Sequence, residues 1–280
     1  VSYVRLSFFE GLGPGGQAEL AGQNVLAVGN PTHAYLQAAL GDLPSAEQEV
    51  QNVAAFALEQ GLPQPTVMIG ESATETAWRE AIVAGNFDIF YFATHGVPFA
   101  EIYFDTRRFK SREDAFREKL EQYTAENDLE QIAKYAGILE FIEFSESTFT
   151  SKSPLYGFLY MAYSGVEADD GVLTLKEILE LPESAFAEAD LAVLSACNTA
   201  VTYSPKITAE ERQELEDDDV RQELVDAGWS PGVDQVSLTD SFMKRNFANV
   251  MGTLWFADDL ATGFIMSRFF EYLSSNDPVE

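Results

Sequence analysis

The sequence predicts an α/β protein built on a doubly wound, mainly parallel sheet with helices on both faces and a helical insertion. Three observations carry that expectation. The segments F-D-I-F-Y-F-A at 87–93 and L-A-V-L-S-A at 191–196 are almost wholly apolar on both parities, as strands covered on two faces must be. Strand-like runs alternate with segments of helical periodicity along most of the chain. With 280 residues, 46% hydrophobic and 12% aromatic, the chain can bury a large core, which excludes an intrinsically disordered protein.

In chain order, alternation over 3–9 and an apolar run at 24–28 bracket G-L-G-P-G-G at 11–16, which reads as a hairpin or loop. Gly11, Gly13 and Gly16 do match G-x-G-x-x-G, but a dinucleotide fingerprint needs a helix directly behind it, and a second strand follows here. A helix is expected over 45–58, with Ser45 as N-cap behind Pro44 and Glu47 and Glu49 in the first turn. A strand at 66–69, a helix at 72–83 and the central strand 87–93 follow. The polar segment 100–151 then interrupts the alternation with mixed charge and helical periodicity around 112–135, and reads as a helical insertion. The pattern resumes with a strand at 155–162, a helix at 174–181 and the second central strand at 191–196. Between Lys206 and Asp226 nine carboxylates face only Lys206, Arg212 and Arg221, so 201–234 is read as an acidic loop insertion. A helix at 236–247, a strand at 249–256 and an amphipathic helix at 258–273 close the chain, with Asp258 and Asp259 suited to the last helix's N-terminal dipole. The expectation is one domain over 1–280, with 1–23 as an N-terminal hairpin or linker. Val1 in place of an initiator Met fits the C-terminal part of a longer protein.

Charge and cysteine usage bound the partners. A net charge of −29 makes nucleic-acid backbone binding a poor expectation and favours basic peptides or proteins, although an acidic surface also serves solubility in a salt-adapted organism. Cys197 is the single cysteine, so no intrachain disulfide and no cysteine-rich zinc site can form, and the chain reads as cytoplasmic. His33 and His95 are the only histidines, which leaves carboxylate sites for Ca²⁺ or Mg²⁺ as the open metal chemistry, and no loop is spaced for one. No cofactor is implied. No apolar run is long enough to span a bilayer, so no membrane partner is expected.

The chemistry lies at two strand ends. His95 in F-A-T-H-G and Cys197 in L-S-A-C-N-T each follow a buried strand, where doubly wound sheets place their sites. A histidine beside a thiol can take its proton or hold the thiolate as an ion pair. The competing reading is a simply buried cysteine, among the most buried of residue types. Gly96 shifts the balance, because a glycine lets a substrate approach and leaves its N–H to meet a developing oxyanion, with the Cys197 N–H as a second donor. Thr94 and Asp88 are candidates to orient the imidazole, Asp88 being better placed at the far end of its strand, and no third member is assigned. His33 is a runner-up base or a pocket wall, set against an ordinary loop histidine.

The blocks D-I-F-Y-F-A-T-H-G, D-G-V-L-T-L-K-E-I-L, A-D-L-A-V-L-S-A-C-N-T and V-M-G-T-L-W-F-A-D-D-L-A-T, in that order, resemble the CHAT domain, a branch of the caspase-like cysteine peptidases with separase-type relatives. P-S-A-E-Q-E-V and I-G-E-S-A-T are similar to the family as well, and the likeness covers roughly 24–273 with two gaps. The resemblance implies a cysteine endopeptidase with His95 as catalytic histidine, Cys197 as nucleophile, and Gly96 and Cys197 as oxyanion-hole amides. It also implies a protein or peptide substrate, a regulatory partner or upstream repeat domain, and a setting such as bacterial defence. The chain departs from the family at 100–151 and after Ala200, where members have shorter connections, so substrate choice does not carry over. From charge, the acidic segment 210–226, starting thirteen residues past Cys197, suggests Lys or Arg just before the scissile bond, with Asp169, Asp170, Asp258 and Asp259 as further acidic pocket candidates. The bland alternative for 210–226 is a solvated face. Two other function classes stand beside the peptidase: a catalytically silent interaction module, and a nucleotide or phosphate binder disfavoured by acidity and the misplaced glycines.

Overall fold

The computed structural model describes residues 23–32, 41–97, 107, 110–152, 158–164, 170–196, 238–245, 247–253 and 259–274. Five parallel strands form the central sheet: β1 (Val25–Pro31), β2 (Thr66–Gly70), β3 (Ile89–Ala93), and, after an intervening segment, two that are numbered β7 (Leu191–Ser195) and β8 (Asn249–Gly252) below. Their order is β2-β1-β3-β7-β8, so the chain first steps one way from β1 and afterwards the other way. This is the α/β architecture that the doubly apolar runs at 87–93 and 191–196 require, and every residue of β3 and β7 is buried.

Two helices cover one face of the sheet: α1 (Pro44–Glu59) and the last helix, α7 (Asp259–Ser274). Ala46, Val50, Val53 and Ala57 of α1 and Met266 and Phe270 of α7 pack on Val25, Ala27, Tyr91 and Val193. Gly29 permits this approach, because a Cβ there would lie 2.7 Å from Val50 Cγ2 and 3.1 Å from the Ala46 carbonyl. The opposite face carries α2 (Glu75–Ala84), α5 (Leu175–Glu180) and α6 (Leu238–Lys244), whose Trp78, Ile82, Ile178 and Phe242 meet Leu26, Phe90, Phe92 and Leu194. The helix that makes the step from β1 to β2 lies on one face and those that make the steps the other way, towards β3, β7 and β8, lie on the opposite face, as right-handed crossovers demand. The topological switch therefore falls between β1 and β3.

Three short strands stand apart from that sheet. β4 (Gly96–Val97), β5 (Phe158–Tyr160) and β6 (Val172–Thr174) form an antiparallel sheet in that order. The strand expected at 155–162 thus leaves the parallel sheet and pairs beside the chain following β3. β6, three residues long, lies where only the lead into a helix was expected. Between β4 and β5, α3 (Glu113–Glu126) and α4 (Leu129–Lys152) fall in the segment expected to be helical. Left-handed Asn127 (φ 56°) ends α3, and Phe116, Leu139 and Ile142 form a small apolar cluster of their own. α1 begins one residue before the expected cap: Pro44 takes the first turn and Leu43 the cap position, with no capping side chain. The hairpin expected within 1–23 and the acidic segment 201–234 lie outside the described residues, save for Gln23.

Candidate active site

The register brings the two sequence blocks to one edge. Ala93 of β3 pairs with Ser195 of β7, and the Thr94 N–H donates to the Ser195 carbonyl at 3.3 Å. These residues immediately precede His95 and Ala196, with Cys197 the next residue in sequence. Cys197 itself, His33, Asp169 and Asp258 lie outside the described residues. Asp259 is the first residue of α7.

His95 is held on both sides through its backbone. Buried Thr94 donates its hydroxyl to the Tyr160 carbonyl at 2.8 Å, and the Tyr160 N–H donates to the His95 carbonyl at 2.9 Å. Thr94 is thus engaged with β5 rather than with the imidazole. The Tyr160 ring stands edge-on to the half-buried imidazole, at 84° and 6.2 Å between centroids. The ring's Nε2 meets a backbone group: Nε2–H donates to the Gly41 carbonyl at 3.1 Å. A carbonyl only accepts, so this bond requires the proton on Nε2 and makes Nδ1 the basic nitrogen. Asp88 sits at the opposite end of the strand, where its carboxylate accepts from the Asn24 N–H at 2.6 Å.

Gly41 belongs to the connection between β1 and α1, on the other side of the topological switch from His95. Its φ of +84° is open to glycine and strained for residues with a Cβ. Asn30, itself left-handed at φ 42° and set at the irregularity one residue before the end of β1, grips the residues after Gly41 twice. Its Nδ2 donates to Asp42 Oδ1 at 2.9 Å, and its Oδ1 accepts from the Leu43 N–H at 3.1 Å. Gly41, Asn30 and Tyr160 are the site features that sequence reasoning missed. A carbonyl carries no side-chain signal; the only hints were an N-P step at a strand end and a G-D-L-P step before a helix.

Gly96 is buried and opens β4. His95 and Tyr160 form the hydrogen-bonded pair of the antiparallel ladder, so the next pair, Gly96 and Leu159, is the non-bonded one, and the Gly96 N–H points away from β5. On the far side, the buried Thr253 hydroxyl donates to the Ala196 carbonyl and fixes the residue just before Cys197.

Among the described residues the buried carboxylates are Glu75 and Glu49, one on each face of the sheet. Glu75, fully buried, accepts from the Val172 N–H at 2.9 Å, and Asp170 accepts from the same N–H at 3.1 Å. Arg79 stands 3.5 Å from Glu75 and 2.7 Å from Glu177, so two carboxylates share one guanidinium near the start of β6. On the other face, buried Tyr91 donates its hydroxyl to the buried Glu49 carboxylate. Burial first, and the Glu49 charge second, push the Tyr91 phenol well above its ordinary value. Among the described residues, no group of three histidine, cysteine or carboxylate residues is placed to hold a metal ion, and no helix is long and apolar enough to cross a membrane.

Comparison with known families shows which one the chain belongs to. The model of the CHAT domain matches residues 14–280. The chain is a CHAT-domain protein. Neither the curated proteins nor the solved structures returned a match. CHAT domains are related to cysteine peptidases, and some members are inactive. This CHAT domain is therefore a caspase-like, protease-related module on a mostly parallel five-stranded sheet.

Proposed function

We propose that this CHAT domain is a cysteine endopeptidase in which Cys197 is the nucleophile and His95 its base. The observation that carries the reading is the bond from His95 Nε2–H to the Gly41 carbonyl, which fixes the tautomer whose Nδ1 can accept a thiol proton. Nδ1 takes the Cys197 proton, and the thiolate attacks the peptide carbonyl carbon. The resulting oxyanion is met by the N–H groups of Gly96 and Cys197. The intermediate collapses as the imidazolium gives its proton to the departing amine, leaving a thioester. His95 then takes a proton from water, hydroxide adds to the thioester, and the thiolate leaves as the acid product is released. The Gly41 carbonyl orients the ring and stabilises the imidazolium between these steps.

The substrate in this reading is a protein with Lys or Arg before the scissile bond, met by acidic residues drawn from Asp169, Asp170, Asp258 and Asp259 and the segment 210–226, with His33 as a wall. Asp170 is the one whose side chain the structure describes, and the carboxylates gathered about Arg79 give that corner a negative excess. The lone thiol suits a reducing cytoplasm, and a partner or upstream repeat domain governs access to the cleft.

The test is cleavage of a mixed peptide library by the wild type and Cys197→Ala, read by mass spectrometry, with alkylation of Cys197 in the wild type and His95→Ala. Cuts that vanish with Cys197→Ala, and labelling that slows with His95→Ala, are the expected results. No cleavage together with slow labelling indifferent to His95→Ala would overturn the reading in favour of a silent interaction module.

A further inference from the structure

Resting on His95 as the base, we propose that Asn30 is a positioning residue for catalysis: through Asp42 and Leu43 it holds the Gly41 carbonyl against the histidine ring. The catalytic strand does not itself supply the ring's acceptor. That acceptor comes from the residues just before α1, where Gly41 and Asp42 are exposed and a Cβ added at Gly41 would meet nothing within 4 Å. A carbonyl on such a stretch needs an external anchor to keep one direction.

Asn30 supplies it from a rigid element. β1 lies between β2 and β3, and Gly29, next to Asn30, pairs directly with Ala93, two residues before His95. Asn30 and the histidine block are thus fixed to each other by the ladder of the central sheet. The side-chain amide then spans the connection with a donor and an acceptor at once, to Asp42 Oδ1 and from the Leu43 N–H. The two bonds fall on the two residues that follow Gly41. Few side chains can do this: the position is left-handed, which asparagine tolerates better than most, and the amide must both give and take a hydrogen bond. The same clamp sets the start of α1, where Leu43 is the cap residue and Pro44 follows.

Loss of the clamp frees the Gly41 carbonyl. The imidazolium then loses an acceptor, the thiolate its stabilised counter-ion, and the thiol titrates higher.

The experiment measures Cys197 alkylation against pH in the full chain for wild type, His95→Ala, Asn30→Gly, Asp42→Ala, Asp42→Asn, and Asn30→Asp combined with Asp42→Asn. Asn30→Gly keeps the backbone conformation and deletes both bonds. It should slow labelling at neutral pH about tenfold and move the profile's midpoint up by about one pH unit, the worth of one hydrogen bond to a charged group. The exchanged pair restores a donor and an acceptor between positions 30 and 42 and should bring the midpoint back. ¹⁵N shifts of the His95 ring should report a single Nε2–H tautomer in the wild type and exchange between tautomers in Asn30→Gly. If His95→Ala leaves labelling unchanged, the histidine reading itself fails. If His95→Ala slows labelling but Asn30→Gly, folded by circular dichroism, leaves midpoint and tautomer unmoved, the positioning role is overturned. Should Asn30→Gly fail to fold, Asp42→Ala, which deletes the acceptor on the exposed side of the clamp, is read against Asp42→Asn, which removes the charge and keeps an acceptor: equal midpoints in the two overturn the role, and a higher one in Asp42→Ala supports it.

Discussion

Substituting Gly41 by alanine separates the backbone geometry of the site from its stability, because the fold contains a matched control. Gly41 and Gly61 both have strongly positive φ, +84° and +74°, both are exposed, and an added Cβ meets nothing within 4 Å at either place. The steric cost of alanine is therefore purely conformational at each, about 1–2 kcal/mol for a left-handed residue with a Cβ. At this chain length that corresponds to a fall in Tm of roughly 2–4 °C per kcal/mol. Gly61 closes the C-terminal end of α1, where its N–H bonds to the Leu58 carbonyl, while Gly41 offers its carbonyl to His95. Thermal melts should show similar losses for the two variants. Cys197 alkylation near neutral pH should fall severalfold for Gly41→Ala and stay at the wild-type rate for Gly61→Ala. Equal losses of stability with labelling unaltered in both would refute the role of the Gly41 carbonyl.

The Tyr91 phenol is held above its ordinary value of 10.0, so it stays neutral where the unfolded chain's phenol ionises. Its contribution is intact below about pH 10 and is lost as pH rises towards the folded-state value, by up to ~1.4 kcal/mol per pH unit; urea melts across that range should show the decline, and Tyr91→Phe should lessen it. At neutral pH the same variant removes a donor from buried Glu49 and should destabilise by roughly 1–3 kcal/mol. Thr253→Val removes the hydroxyl that fixes the Ala196 carbonyl, and should slow Cys197 alkylation while lowering stability by about 1–3 kcal/mol. Thr174→Ala breaks the capping box with Glu177 at the start of α5 and should cost about 1 kcal/mol by chemical denaturation, leaving Cys197 labelling as it was.

The central sheet was legible because its signal is redundant. Phe90 and Phe92 serve one core and Tyr91 and Ala93 the other, so the run at 89–93 had no polar parity and could only be a strand covered twice. The small antiparallel sheet was not legible, since three residues such as Val172–Thr174 are too few to show a period, and the apolar run ending at Ala162 looks the same whichever sheet receives it. At the site, His95 announced itself as an ionisable group after a buried strand. Thr94 was a candidate for orienting the ring, and its adjacency to His95 was misleading: its hydroxyl is drawn to the Tyr160 carbonyl, a partner distant in sequence that no local pattern predicts. The partner of the ring's Nε2 is a main-chain atom, and a main-chain atom has no letter in a sequence.

That last fact changes how such a site can be lost or kept. A carboxylate or amide partner disappears with one codon, whereas the oxygen of residue 41 is present whatever residue stands there. What a mutation can spoil is its direction, which depends on a left-handed turn and on a tether from the neighbouring strand. Selection on the histidine's partner would therefore be written as a preference for glycine at the turn and for a two-handed amide at the strand end. Relatives that keep the His-Cys pair but lose that turn would be candidates for the silent members, a distinction invisible to inspection of the pair alone.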